Sequence, residues 1–158
     1  MCNESRFCIR AFEPSDAADC LMLFRKCVHR VNIRDYTKEQ VDAWAPAEID
    51  QDAWRERFNS RFAYVAIENN SVVGFTDMTK AGHLDRLFVS ADHQGQGIAR
   101  RLVEQLIHDA ETEGIESIST DASITAKSFF EKMGFAVVTE QSVNCRGVRL
   151  TNFQMRRG

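Results

Sequence analysis

The sequence predicts an α/β (α+β) domain: a mixed, mostly antiparallel sheet of about seven strands with helices on both faces. Three observations carry this. Residues 62–68 (FAYVAIE) and 71–78 (SVVGFTDM) flank Asn69-Asn70, and residues 136–144 and 148–155 flank Arg146-Gly147, which reads as two hairpins. Residues 97–113 form an amphipathic helix between a strand at 83–89 and a short strand at 115–120, and such a unit favours parallel pairing through a right-handed crossover. The 158 residues contain no repeat, low-complexity run or linker, so residues 1–158 read as one domain.

Each element follows from local chemistry. Residues 7–11 alternate weakly and form a first strand, which Pro14-Ser15-Asp16 stops. Ser15 or Asp16 then caps a helix over 17–31, with Leu21, Phe24, Val28 and Val31 at helical spacing. Asp35-Tyr36-Thr37 interrupts it. Thr37 opens a helix over 38–45 with Gln40 as its capping-box partner, and Pro46 ends it. Trp54 and Phe58, four apart, predict another helix over 49–61. In the helix over 97–113, Ile98, Leu102, Val103, Leu106, Ile107 and Ala110 share one face, and Gly114 closes it. A shorter helix over 125–133 ends at Gly134.

Composition excludes several function classes. A net charge of -3 is no nucleic-acid footprint. No apolar run approaches membrane-spanning length and the N-terminus lacks a signal-like core, so neither a membrane nor a nucleic-acid partner is expected. The five cysteines, Cys2, Cys8, Cys20, Cys27 and Cys145, are odd in number and form no C-x-x-C pair. They predict reduced, largely buried thiols, a cytoplasmic location and no metal site. The chain is expected to act as a monomer or homodimer.

Chemistry concentrates in residues 83–103, HLDRLFVSADHQGQGIARRLV. A strand leads through a polar link and a double-glycine turn into the most regular helix. Unpaired N–H groups and the macrodipole make that helix N-terminus an anion site, and Gly95 and Gly97 remove side chains from it. A dinucleotide fingerprint needs a third glycine where Arg100 stands, and a P-loop needs Lys-Ser/Thr where Ile98-Ala99 follow. Both readings fail on spacing.

What remains, Gln94-x-x-Gly97-x-Ala99 after Leu87-Phe88-Val89, resembles the acetyl-CoA motif of the GCN5-related N-acetyltransferases (GNAT), Q/R-x-x-G-x-G/A. Ala126-x-x-Phe129-Phe130-Glu131-Lys132-x-Gly134-Phe135 is similar to the family's A-x-x-F-Y-E-K-x-G-F segment, and Val73-Gly74-Phe75 resembles its preceding hairpin strand. Tyr36-Thr37, Glu39-Gln40, Trp44-Ala45-Pro46 and LDRLFV resemble the YafP-type subgroup.

The resemblance implies the GNAT fold and transfer of acetyl from acetyl-CoA, as co-substrate, to a primary amine on a small-molecule or peptide acceptor. It implies a cofactor-binding set of Leu87, Phe88, Val89, Gln94, Gly95, Gln96, Gly97, Ile98, Ala99, Arg100, Ser123, Lys127 and Phe130. The turn would hold the pyrophosphate, the strand would pair with the pantetheine arm, and the Phe88 or Val89 N–H would face the thioester oxygen. For the base, Asp85 comes first and His83 second, with Asp77 also available. Strand parity predicts that Asp85 and His83 face opposite to Phe88. The family's tyrosine acid is replaced by Phe130, which cannot donate, so Ser128, Tyr36 or water stands in. That replacement also motivates an alternative, a non-catalytic acyl-CoA-binding or sensing module. The acceptor site is expected from the N-terminal helices, with Tyr36 and Trp44, and from the final hairpin, with Asn144 to Arg149. Trp54 reads as core, and His29, His93 and His108 as surface.

Overall fold

The structure is a computed structural model that describes residues 6–158. Cys2 lies outside them. One seven-stranded sheet organises the chain, in the order β1-β2-β3-β4-β5-β7-β6. The strands are β1 (Cys8–Ala11), β2 (Arg61–Glu68), β3 (Ser71–Thr79), β4 (His83–Val89), β5 (Ile118–Ser123), β6 (Ala136–Cys145) and β7 (Val148–Arg157). Every pairing is antiparallel except β4 with β5. β6 is an edge strand, because β7 inserts between it and β5.

The helices are α1 (Ala17–Arg30), α2 (Lys38–Trp44), α3 (Gln51–Glu56), α4 (Ile98–Glu113) and α5 (Lys127–Lys132). α1, α2 and α3 cover one face through a core that includes Phe24, Trp54, Val65, Phe75 and Leu150. α4 and α5 cover the other, over Met78, Leu84, Leu106, Phe130 and Met155. Gly74 permits the closest approach: a Cβ there would lie 2.9 Å from Ile98 Cγ2 and 3.3 Å from Leu102 Cδ1, so α4 seats directly on β3.

Local chemistry sets most boundaries. Thr37 accepts from the Gln40 N–H while the Gln40 side chain accepts from the Thr37 N–H, closing the capping box of α2. Asn69 and Asn70 take positive φ in the first hairpin turn, and Arg146 and Gly147 do so in the last.

Some expectations are corrected. α3 stops at Glu56 rather than at residue 61, because the chain turns at Ser60, φ 58°, to enter β2. β5 begins three residues later than 115, since Ile115 still donates its N–H to the α4 carbonyl of Ala110. Asp16 does not cap α1 through its side chain: its carboxylate binds Arg10 at 2.8 and 2.9 Å and the Glu13 N–H at 2.8 Å. Cys20, Cys27 and Cys145 are free, as expected, but Cys8 is disulfide-bonded.

Candidate active site

β4 and β5 run side by side only at His83↔Ser119 and Leu84↔Thr120, then separate. The opening is a cleft of about 520 Å³. Its walls come from both faces of the sheet: Cys27, Asn32, Trp44 and Phe88 on the α1/α2 side, and Ile98, Ala126, Phe129 and Phe130 on the α4/α5 side. The cleft therefore passes through the sheet.

Ladder geometry decides what β4 presents to it. The Ser90 N–H donates to the Val73 carbonyl at 2.8 Å, and the register pairs Phe75 with Phe88. Backbone groups alternate along an antiparallel strand, so those of Phe88 bond β3 and those of Leu87 and Val89 point toward the cleft. This selects Val89 over Phe88 as the strand's N–H donor. The Val89 carbonyl already accepts from Gln94 Nε2 at 2.7 Å and from the Cys27 thiol at 3.0 Å.

At the α4/α5 mouth, Gly97, φ 86°, stands at the N-cap of α4, which has no side-chain cap and no acidic residue in its first turn. The α2 and α3 N-termini, by contrast, carry Thr37 and Asp50 caps. A Cβ at Gly95 or Gly97 would meet nothing within 4 Å, so the turn leaves open space around its N–H groups. Gly95, Gly97, Ile98, Ala99, Arg100, Gln94, Leu87, Phe88, Val89, Ser123 and Phe130 all line the cleft. Gln96 sits exposed on the turn outside that lining. Lys127 also lies outside it, its ammonium 5.0 Å from the centre of the Phe153 ring. Phe130 is 3% exposed and packs edge-on against Phe129 and Phe135.

The proposed proton-transfer residues are placed less simply. A β-bulge in β4, where Asp77 pairs with Arg86 but Met78 with Leu84, breaks the parity argument. Leu84 turns into the α4-side core, and His83 lies on the opposite face, its Nδ1 2.8 Å from Ser119 Oγ. His83 therefore shares the face of Phe88, not the reverse, and it does not line the cleft. Asp85, at the bulge, accepts from Arg61 at 2.7 Å and from Arg57 at 2.9 Å. Burial works to raise its pKa, but the Arg61 and Arg57 hydrogen bonds and charges outweigh burial and hold it below the usual carboxylate range. Asp77 is fully buried between Arg61 and Arg86. The Arg86 guanidinium in turn stacks on Trp54 and Phe58.

Tyr36 is a clasp rather than a free hydroxyl. It is 7% exposed, donates to the Thr151 carbonyl at 2.6 Å and accepts from the Ile124 N–H at 2.9 Å. Burial raises its pKa, partly offset by the Ile124 bond. With the Thr125 hydroxyl donating to Asp35 at 2.8 Å, it ties the α1–α2 connection to the end of β5. The final hairpin is bound to α2, with Arg146 donating to the Ala43 carbonyl and Gln40 to the Arg149 carbonyl, and does not line the cleft. Cys145 is half-buried against the same segment. His93 is not surface: it pairs with Glu68 at 2.6 Å and lines the cleft.

Asp121 and Asn32 are among the polar cleft residues that the sequence reading did not single out. Asp121 lies on the β5 face opposite the buried Ile118 and Ala122, is half-exposed, and sits 3.7 Å from His83 Nε2. The alternation of residues 118–123 was the available signal. Asn32, 6% exposed, also lines the cleft. Among the described residues no cluster of three or more His, Cys, Asp or Glu is placed to hold a metal, and no helix is long and apolar enough to cross a membrane.

Comparison with known proteins agrees with this architecture. A family model for the acetyltransferase (GNAT) domain matches residues 32–157. YafP of Escherichia coli (strain K12), named as an uncharacterized N-acetyltransferase, is 38% identical over 148 residues, covering 94% of this chain and 93% of that protein. A GCN5-related N-acetyltransferase from Rhodopseudomonas palustris superposes with a TM-score of 0.93 at 28% identity, covering 100% of this chain and 98% of that one. The protein yncA of Salmonella typhimurium, solved with its cofactor acetyl-CoA, superposes with a TM-score of 0.70 at 20% identity, over 95% and 92% of the two chains.

Proposed function

This chain belongs to the GNAT acetyltransferase family and is an acetyltransferase, and we propose that it acts as a single domain moving acetyl from acetyl-CoA directly to a primary amine. One observation carries the reading: the β4–β5 separation opens beside an α4 N-terminus that no side chain caps. In this reading the N–H groups after Gly97 hold the pyrophosphate, with Arg100 beside them. The pantetheine amides pair with Leu87 and Val89, and the Val89 N–H donates to the thioester oxygen as charge develops on it. Gln94 must release the Val89 carbonyl if a pantetheine N–H is to take it.

Direct transfer, rather than an acyl-enzyme, is supported by Cys27, the one thiol that lines the cleft among the described residues. Burial pushes Cys27 up to about 12, so it is a thiol and a poor nucleophile at neutral pH. The amine must lose a proton as it attacks. Asp85, held ionised by two arginines, is a poor acceptor of it. We assign that role to Asp121, which lines the cleft and passes the proton toward solvent through His83. The departing CoA thiolate is tolerable without a protein acid, so Phe130 serves packing.

Steady-state kinetics on an amine panel tests this. Asp121→Asn is expected to lower kcat about 100-fold with acetyl-CoA affinity retained. An Asp85→Asn variant that loses kcat at unchanged stability, while Asp121→Asn stays active, overturns the assignment. Tight acetyl-CoA binding without turnover on any amine would favour a sensing role.

A further inference from the structure

Between β4 and the glycine turn the chain makes a short turn, Ala91–His93, whose last two side chains are gripped from opposite sides of the sheet. Asp92 pairs with Arg30 of α1 at 3.1 Å. His93 Nε2 lies 2.6 Å from the Glu68 carboxylate at the end of β2. Glu68 shares the face of Ala66, which packs on Ile98 and Leu102 of α4, so the imidazole is held on the α4 side. There it lines the cleft beside Gln94, Gly95 and Gly97.

The other ring nitrogen is the independent observation. His93 Nδ1 is buried and has no hydrogen-bond partner. A carboxylate only accepts, so the Glu68 contact puts a proton on Nε2. Nδ1 is then a bare acceptor in the neutral ring, or a donor with nothing to receive it in the charged one. Buried polar atoms are paired as a rule. Two other buried side-chain atoms lack a partner among the described residues, Arg86 Nη1 and Asn152 Oδ1, and neither residue lines the cleft.

The acetyl-transfer reading above places the diphosphate of acetyl-CoA on the N–H groups after Gly97. Resting on that reading, we propose that His93 is a further ligand of the diphosphate: the ring, anchored to Glu68 through Nε2, donates from Nδ1 to a phosphate oxygen. Glu68 is then a positioning residue. The imidazolium is the form that donates at both nitrogens, and a carboxylate on one side and a phosphate oxygen on the other satisfy it with charge-assisted bonds. The charges around the ring leave room for an anion. Glu68 is shared with Arg6 at 3.8 Å, Asp92 is taken by Arg30, Arg100 lines the cleft within 3.5 Å of Glu104, and the first turn of α4 carries no acidic residue. Residues 94–97, which follow the ring, are all exposed, so Nδ1 meets the ligand by a shift of exposed backbone rather than of core.

The two amide replacements of histidine separate the nitrogens. In His93→Gln the carboxamide takes the place of Nε2 and keeps the Glu68 bond. In His93→Asn it takes the place of Nδ1 and loses that bond. Calorimetric titration with acetyl-CoA is expected to show Kd raised roughly 10- to 150-fold in His93→Gln, the size of one charge-assisted hydrogen bond, and raised less in His93→Asn. The Kd of S-acetylpantetheine, which carries no diphosphate, is expected to move far less in His93→Gln than that of acetyl-CoA. Glu68→Ala is expected to weaken acetyl-CoA, and Glu68→Gln, which still accepts from Nε2, to recover part of the loss. The proposal is overturned if His93→Gln binds acetyl-CoA as the parent does, which would mean that Nδ1 holds only a water. It is overturned if His93→Asn is the weaker binder, which would reduce the ring to a brace on Glu68, or if Glu68→Ala leaves the Kd unmoved. It is overturned too if acetyl-CoA and S-acetylpantetheine lose affinity equally, which would put the nitrogen on the pantetheine arm. Failure of the parent protein to bind acetyl-CoA overturns the acetyl-transfer reading instead.

Discussion

Gly97→Val separates backbone strain from ligand contact. Gly97 has φ 86°, and a Cβ built there meets nothing within 4 Å. The free protein therefore suffers strain and no clash. Placing an L-residue in the left-handed region costs about 1–2 kcal/mol. For a chain of this size that corresponds to a Tm drop of roughly 2–8 °C. Gly114, at the other end of α4, has φ 72° and equally open surroundings, so Gly114→Val supplies the same strain far from the cleft. The two variants should lose similar stability. Only Gly97→Val should weaken acetyl-CoA, because its side chain occupies the space where the pyrophosphate meets the first N–H groups of α4. Loss of a single charge-assisted hydrogen bond, about 1.5–3 kcal/mol, raises Kd by roughly 10- to 150-fold. Thermal unfolding gives the strain and calorimetric titration with acetyl-CoA gives the Kd. Equal Kd values for the two variants would refute the placement of the pyrophosphate.

Tyr36→Phe should cost about 1–3 kcal/mol by stranding the Ile124 N–H and the Thr151 carbonyl, seen as a lower denaturation midpoint; an unchanged midpoint would remove the clasp. Phe130→Tyr should leave kcat within a few-fold of the parent or raise it, and a large fall would mean that the buried ring shapes the cleft directly. Stability should decline in acid. The Arg10 hydrogen bond holds Asp16 below its ordinary pKa, and Arg61 and Arg57 do the same for Asp85 against its burial. Both contribute stability above the unfolded carboxylate value near ~3.9, lost as pH falls through their lower folded values. A Tm-versus-pH profile over the acid range should flatten in Asp16→Asn; a profile identical to the parent would contradict this. Cys20 and Cys27, each pushed up to about 12 by burial, should react with thiol reagents only after unfolding.

The amphipathic α4, the capping box of α2, the two hairpin turns and the glycine turn were all legible, because each depends on residues within a few positions of one another. The family followed from the same short-range signals, since the Gln94–Ala99 and Ala126–Phe135 segments are contiguous. The insertion of β7 between β5 and β6 was not legible: each of those strands satisfies its alternation with either neighbour.

What the sequence by itself determined is where helices and strands begin and end, to within a few residues, and which turn offers free N–H groups to an anion. Tertiary structure alone decided which side chains share the cleft. One extra residue in β4 moved His83 onto the face of Phe88 and placed Asp85 between two arginines, because register belongs to the pair of strands and not to either one. Asp121 and Asn32 reached the cleft from segments nearly ninety residues apart, because β4 and β5 separate next to the turn that follows α1.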